Sequence, residues 1–154
     1  MMNLKSQKGF TMVEIAIVVI LIAAAVGLSI LYLQSSQVRA DVNAEVTDFV
    51  GNLRLAQSNA KAGLNNTSHG VHLEADSYTV FQGDVYAALD PLNFTVELPP
   101  TISIENIALN GGGNNIIFDP PQGETSTFGT LQFNSAQINK TVDITITSIG
   151  TVNF

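Results

Sequence analysis

The chain has 154 residues, a formal net charge of −7, 45% hydrophobic residues and no cysteine, which leaves room for one helical segment and one small domain. The absence of cysteine excludes disulfide staples, thiolate nucleophiles and zinc–thiolate sites, and the acidic balance argues against a surface that tracks phosphate backbones. The hydrophobic content is concentrated near the N-terminus, and the sequence beyond it is rich in Asn, Thr, Ser and Gly, as extracytoplasmic β-domains are.

Residues 1–9 carry Lys5 and Lys8 and end on Gly9; Phe10-Thr11-Met12-Val13-Glu14 follow, and then an apolar run from Ile15 to Leu33. A run of that length nearly supplies a membrane-spanning helix. A carboxylate at bilayer depth costs roughly 3 kcal/mol even on the gentlest insertion scales, so Glu14 is a candidate functional residue in need of a counter-charge. Cutting the chain after Gly9 would free an amine on Phe10 to supply it. Both lysines precede the run and Arg39 is soon followed by Asp41, so the positive-inside rule places the C-terminal body outside the cytoplasm. Two plainer accounts cover part of the segment. Ala23-Ala24-Ala25 could end a secretory signal, although the apolar character continues past it. A simple single-span anchor fits the length but has no use for Glu14.

The string Lys8-Gly9-Phe10-Thr11-Met12-Val13-Glu14 with its apolar continuation closely resembles the class III signal of type IV pilins and type II secretion pseudopilins, over residues 8 to about 33. The resemblance implies that a prepilin peptidase cleaves between Gly9 and Phe10 and N-methylates Phe10, and that Glu14 pairs with the N-terminal amine of a neighbouring subunit during assembly. It also implies a cleaved leader over 1–9 and a transmembrane and polymerisation helix over 10–33. The protein would then be a single-pass inner-membrane protein with a cytoplasmic N-terminus and a periplasmic body. The implied partners are other pilin or pseudopilin subunits, the prepilin peptidase, an inner-membrane assembly platform and membrane lipid, with no cofactor; against nucleic acid, which FimT-like members take up as DNA, stands the acidic charge of this chain.

From Phe10 to about Ala62 there is no proline and the only glycines are Gly27 and Gly51, which predicts one continuous helix. Over 34–63 it turns amphipathic: Val38, Val42, Val46, Phe49 or Val50, Leu53 and Ala56 or Ala60 recur at helical spacing, while Asp41, Glu45, Asp48 and Arg54 take other faces. Gly63 after Lys61 marks its end. In 64–154 the period becomes two. Val71 and Leu73, then Tyr78 and Val80, predict a hairpin turning at Glu74-Ala75-Asp76. Phe94 to Leu98, Ile102 to Leu109, Asn115 to Phe118, Gly129 to Phe133, Val142 to Ile149 and Thr151 to Phe154 predict further strands, punctuated by Pro99-Pro100, Asn110 to Asn114 and Asp119 to Gly123. The expected fold is α+β and pilin-like: a long N-terminal helix, membrane-spanning in its first half and amphipathic in its second, packed on a small antiparallel β-sheet body over 64–154. The pattern Ile117-Phe118-Asp119-Pro120, Gly123 and Gly129-Thr130-Leu131 is similar to the β-domain of GspH/FimT-like minor pilins.

Other constellations are weaker. His72, Glu74 and Asp76 could project to one strand face as metal ligands, but exposed hairpin polarity explains them equally. Two histidines among many serines give no nucleophile elbow, so no catalytic residue is assigned. The glycine-rich 110–115 segment is followed by neither a helix nor a Lys-Ser/Thr pair and so is not a phosphate loop. The acidic stripe Asp41, Glu45 and Asp48 reads either as a solvated face or as a contact with a neighbouring subunit. Taken with the resemblance, the expected function is that of a minor pseudopilin of type II secretion, non-enzymatic and without cofactor or metal. The alternatives are a FimT-like minor pilin of a type IV pilus and a tethered enzyme or binding module.

Overall fold

In the computed structural model of the chain, residues 9–154 are described, with backbone alone over 29–35. Residues 1–8, with Lys5 and Lys8 of the expected leader, lie outside the described residues, as do the side chains at the end of the apolar run. The chain forms two units, 1–37 and 38–154.

In the first unit Thr11 starts the helix. Its hydroxyl accepts a hydrogen bond from the Glu14 amide at 3.2 Å, and its carbonyl accepts one from the Ile15 amide at 3.2 Å. One orphan donor of the first turn is thereby satisfied, and α1 (Met12–Lys61) follows. Every residue from 9 to 28 is exposed. The expectation of a membrane-spanning first half is overturned, because among the described residues no helix is long and apolar enough to cross a membrane. The described side chains of the run end at Leu28, and from Met12 they cover about 25 Å at 1.5 Å per residue, short of the roughly 30 Å hydrocarbon layer, with Glu14 among them. The single-pass inner-membrane localisation falls with it.

In the second unit α1 buries a stripe. Val38, Val42, Val46, Phe49, Val50, Leu53, Ala56 and Ala60 are all buried, at the three- and four-residue spacing that keeps side chains on one helix face. The helix stops where Gly63 takes a left-handed conformation (φ 63°), its amide bonded to the Ala60 carbonyl at 2.9 Å.

The body has two four-stranded antiparallel sheets rather than the one expected. The first has the order β3 (Phe94–Glu97), β2 (Ser77–Gln82), β1 (His69–Leu73), β5 (Asn115–Phe118). The second has the order β4 (Ser103–Leu109), β6 (Gly129–Ser135), β7 (Lys140–Ile146), β8 (Val152–Asn153). Pro99 and Pro100 cause the division: they lack amides for a ladder, and the Pro99 carbonyl instead closes a turn with the Ile102 amide at 2.9 Å that redirects the chain. The strand expected to run to Ile149 ends at Ile146, because Gly150 (φ 80°) allows a turn in which its amide meets the Thr147 carbonyl at 2.9 Å. Phe49 joins the layers. Its ring centroid lies 5.1 Å from that of Tyr78 in β2 and 5.2 Å from that of Phe133 in β6, so one helix side chain packs on both sheets.

Candidate functional site

The N-terminal segment brings its three sequence-predicted residues together. Gly9, Phe10, Thr11 and Glu14 line one shallow depression, and Phe10, Glu14, Ile15, Val18 and Val19 line another beside it. The Glu14 carboxyl therefore shares a surface with the Gly9–Phe10 peptide. Sequence reasoning missed Thr11, although the signal was present: Thr11-Met12-Val13-Glu14 has the spacing of a capping box ahead of an apolar run. Glu14 thus occupies the third position of the helix, where the partial positive charge of the helix terminus favours a carboxylate.

Downstream of that first turn the chain presents apolar atoms on every face. Phe10, Met12, Val13, Ile15, Ile17, Val18, Val19, Ile20, Leu21, Ile22, Val26 and Leu28 are each about half exposed or more. Helices of globular proteins expose one polar face; one that is apolar all round is normally covered. A contiguous apolar surface of this extent marks an interaction site.

The other candidates resolve into local structure. His72 Nδ1 meets Asn115 Oδ1 at 2.6 Å, its Nε2 is 3.5 Å from a Glu74 carboxylate oxygen, and its ring stacks on Tyr86 with centroids 3.9 Å apart. The Ser77 hydroxyl donates to Glu74 at 3.1 Å and lies 3.5 Å from an Asp76 carboxylate oxygen, so Asp76 does not join His72. Among the described residues no group of three or more His, Asp or Glu side chains is placed to hold a metal ion. His69 is buried and donates from Nε2 to the Leu64 carbonyl at 3.1 Å. The glycine-rich segment is a turn into β5, tied down by the Asn110 amide on the Phe128 carbonyl at 2.7 Å. On α1, burial and the neighbouring Asp48 and Asp41 charges hold the Glu45 carboxyl above its ordinary range.

No protein-family profile matches the chain, and no solved structure does. The chain is distantly similar to Type II secretion system protein H of Pseudomonas aeruginosa, 26% identical over 81 residues, a match spanning 53% of this chain and 46% of that protein.

Proposed function

We propose that the chain is a structural, non-enzymatic subunit of a type II secretion pseudopilus, of the minor GspH-like kind, and that it assembles through residues 10–28. The observation that carries this is the helix segment exposed and apolar on all its faces, opening at a capped Glu14 beside Gly9 and Phe10. The distant similarity to a secretion-system protein points the same way. Equivalent helices of neighbouring pilin-like subunits are the partners that would cover such a surface. A prepilin peptidase cuts between Gly9 and Phe10 and methylates the new amine, and the Phe10 ammonium of a neighbour then meets Glu14 in the dry layer between helices. Breaking a buried pair by removing one member costs roughly 3–5 kcal/mol.

Glu14→Leu tests the pairing. The Thr11 cap survives this change, because the Glu14 amide and not its side chain is the donor. The variant is therefore expected to be processed normally, with mass spectrometry showing a chain that starts at methylated Phe10, yet to be poorly recovered with other pilin subunits. Glu14→Asp, whose carboxylate reaches less far, should be intermediate. Recovery of Glu14→Leu at the wild-type level would remove Glu14 from assembly. Gly9→Val should leave the leader attached, and an N-terminus near Val26 in the wild-type protein would instead mark ordinary signal-peptide cleavage.

A further inference from the structure

Each sheet of the body over 38–154 ends in two edge strands, and an edge offers unpaired amides and carbonyls to any other chain. At β5 that edge is closed: the outward Ile117 amide donates to the Thr127 hydroxyl at 3.0 Å, and Asp119 bridges to Glu124 just beyond. At β4 the outward Ile104 amide donates to the Ala75 carbonyl at 2.8 Å, and a bulge with Asn106 in the left-handed region (φ 50°) then breaks the strand. The last edge, β8, is only Val152–Asn153 and too short to template a partner.

The β3 edge is neither closed nor broken. The Leu98 amide donates to the Asp76 carbonyl at 2.8 Å, and such bonds fall on alternate residues, so Phe94 and Val96 bond to β2 while Thr95 and Glu97 turn their amides and carbonyls outward. Among the described residues nothing meets those outward groups. Beside the edge, Asp48 and Asn52 of α1 face Tyr78, Phe94 and Val96 across a groove, and Phe94 is 60% exposed there. The groove is acidic as well as apolar. Burial, outweighing the hydrogen bond from Asn52, pushes the Tyr78 hydroxyl above its ordinary range, and the Glu45 and Asp48 charges push the same way, which places both carboxylates on this side of the helix. Glu97 adds a carboxylate on the other face of β3. No lysine or arginine lines the groove.

We propose that β3 is a strand-acceptor edge, to which an extended segment of an unlike polypeptide, carrying apolar and basic side chains in alternation with small polar ones, adds as a further strand. Its backbone bonds to Thr95 and Glu97. Its side chains of one parity enter the groove: an apolar one lies beside Phe94, and a lysine or arginine lays its stem on Val96 and brings its charge to Asp48. The β3 of a second copy is selected against, because it would bring another set of Glu45, Asp48 and Glu97 carboxylates to the same place. The proposal concerns 38–154 alone and does not rest on the assembly of residues 10–28.

The main test leaves the chain unaltered. Residue-resolved amide hydrogen exchange of the full-length protein in mild detergent should show Thr95 and Glu97 exchanging fast and Val96 slowly. The probe is a short blocked peptide in which valine, lysine and valine alternate with threonine, added at about millimolar concentration, where weak strand addition registers. It should slow exchange at Thr95 and Glu97 at least about tenfold with little change elsewhere in the body, and added salt should weaken the effect. The same peptide with glutamate in place of lysine should give no protection. Thr95→Pro, which removes an outward amide at an edge position that tolerates proline, should abolish binding, whereas Thr95→Val, which keeps the amide and loses only the hydroxyl, should bind within about twofold of the unaltered chain. Slow exchange at Thr95 and Glu97 without peptide, no protection by the lysine peptide, or equal protection by the glutamate one would overturn the proposal. Protection that grows with protein concentration alone would assign the edge to a second copy and overturn it too.

Discussion

Two glycines in regular structure make opposite demands. Gly70 sits in β1 between two neighbouring strands, and a Cβ there would stand 2.5 Å from the Ile116 carbonyl oxygen and 2.7 Å from the Phe81 ring. Gly70→Ala should therefore lose about 1–3 kcal/mol, read as a lower midpoint in chemical unfolding with an unchanged slope. Gly51→Ala should gain about 1 kcal/mol of helix propensity and raise Tm by about 2–4 °C, since among the described residues the added methyl meets nothing beyond its own helix. Glu45 adds a pH dependence. Its raised folded-state pKa means that the folded protein holds this proton more tightly than the unfolded chain, so the stabilisation is present below its ordinary value near 4.5 and lost as pH rises through the raised one. Glu45→Gln should accordingly raise Tm slightly at about pH 7 and not at about pH 3.5, an effect kept small by solvent screening.

Among the elements, the buried stripe of α1 was legible because burial imposes a period. Val38, Val42, Val46 and Leu53 could share one face only if the segment were helical and half covered, and all four are buried. The hairpin turning at residues 74–76 and the strand Asn115–Phe118 were legible for the corresponding reason, with alternation bounded by turn residues. The partition into two sheets was not. It depends on which edge each strand chooses, and alternation reports faces rather than neighbours. The apolar run after Glu14 misled for a related reason: its composition reads the same for a bilayer span and for a helix covered by other helices, and the period that would tell a covered face from a wet one is absent. That Gly9, Phe10 and Glu14 share one surface follows from their closeness in sequence, whereas the Thr11 cap required attention to a hydroxyl three residues before the acid. Phe49 gives the sharpest test of the packing. Its ring lies against Tyr78 of one sheet and Phe133 of the other, so Phe49→Ala should cost about 3–5 kcal/mol, and Phe49→Asp should prevent folding by placing an unpaired charge between the layers. A loss under about 1 kcal/mol for the alanine variant, measured by denaturant titration, would contradict the layer arrangement.

For the whole molecule, the folded core and the surface proposed for assembly lie in different stretches of chain. Every residue of the hydrophobic core cluster, from Val42 to Val152, belongs to the unit 38–154. The described residues of 9–28 are exposed and add nothing to that core. A chain beginning at Val38 should therefore retain cooperative thermal unfolding and a circular dichroism spectrum dominated by strand with one helix, with a Tm within a few degrees of that of the full chain. It should also lose recovery with other pilin subunits, because the surface proposed to be covered by neighbouring helices has been removed. The two readouts are independent. A shortened chain that melts without cooperativity would mean that residues 9–37 contribute to the folded body, and one that folds but is still recovered with pilin subunits as efficiently as the full chain would move the assembly surface off the N-terminal helix.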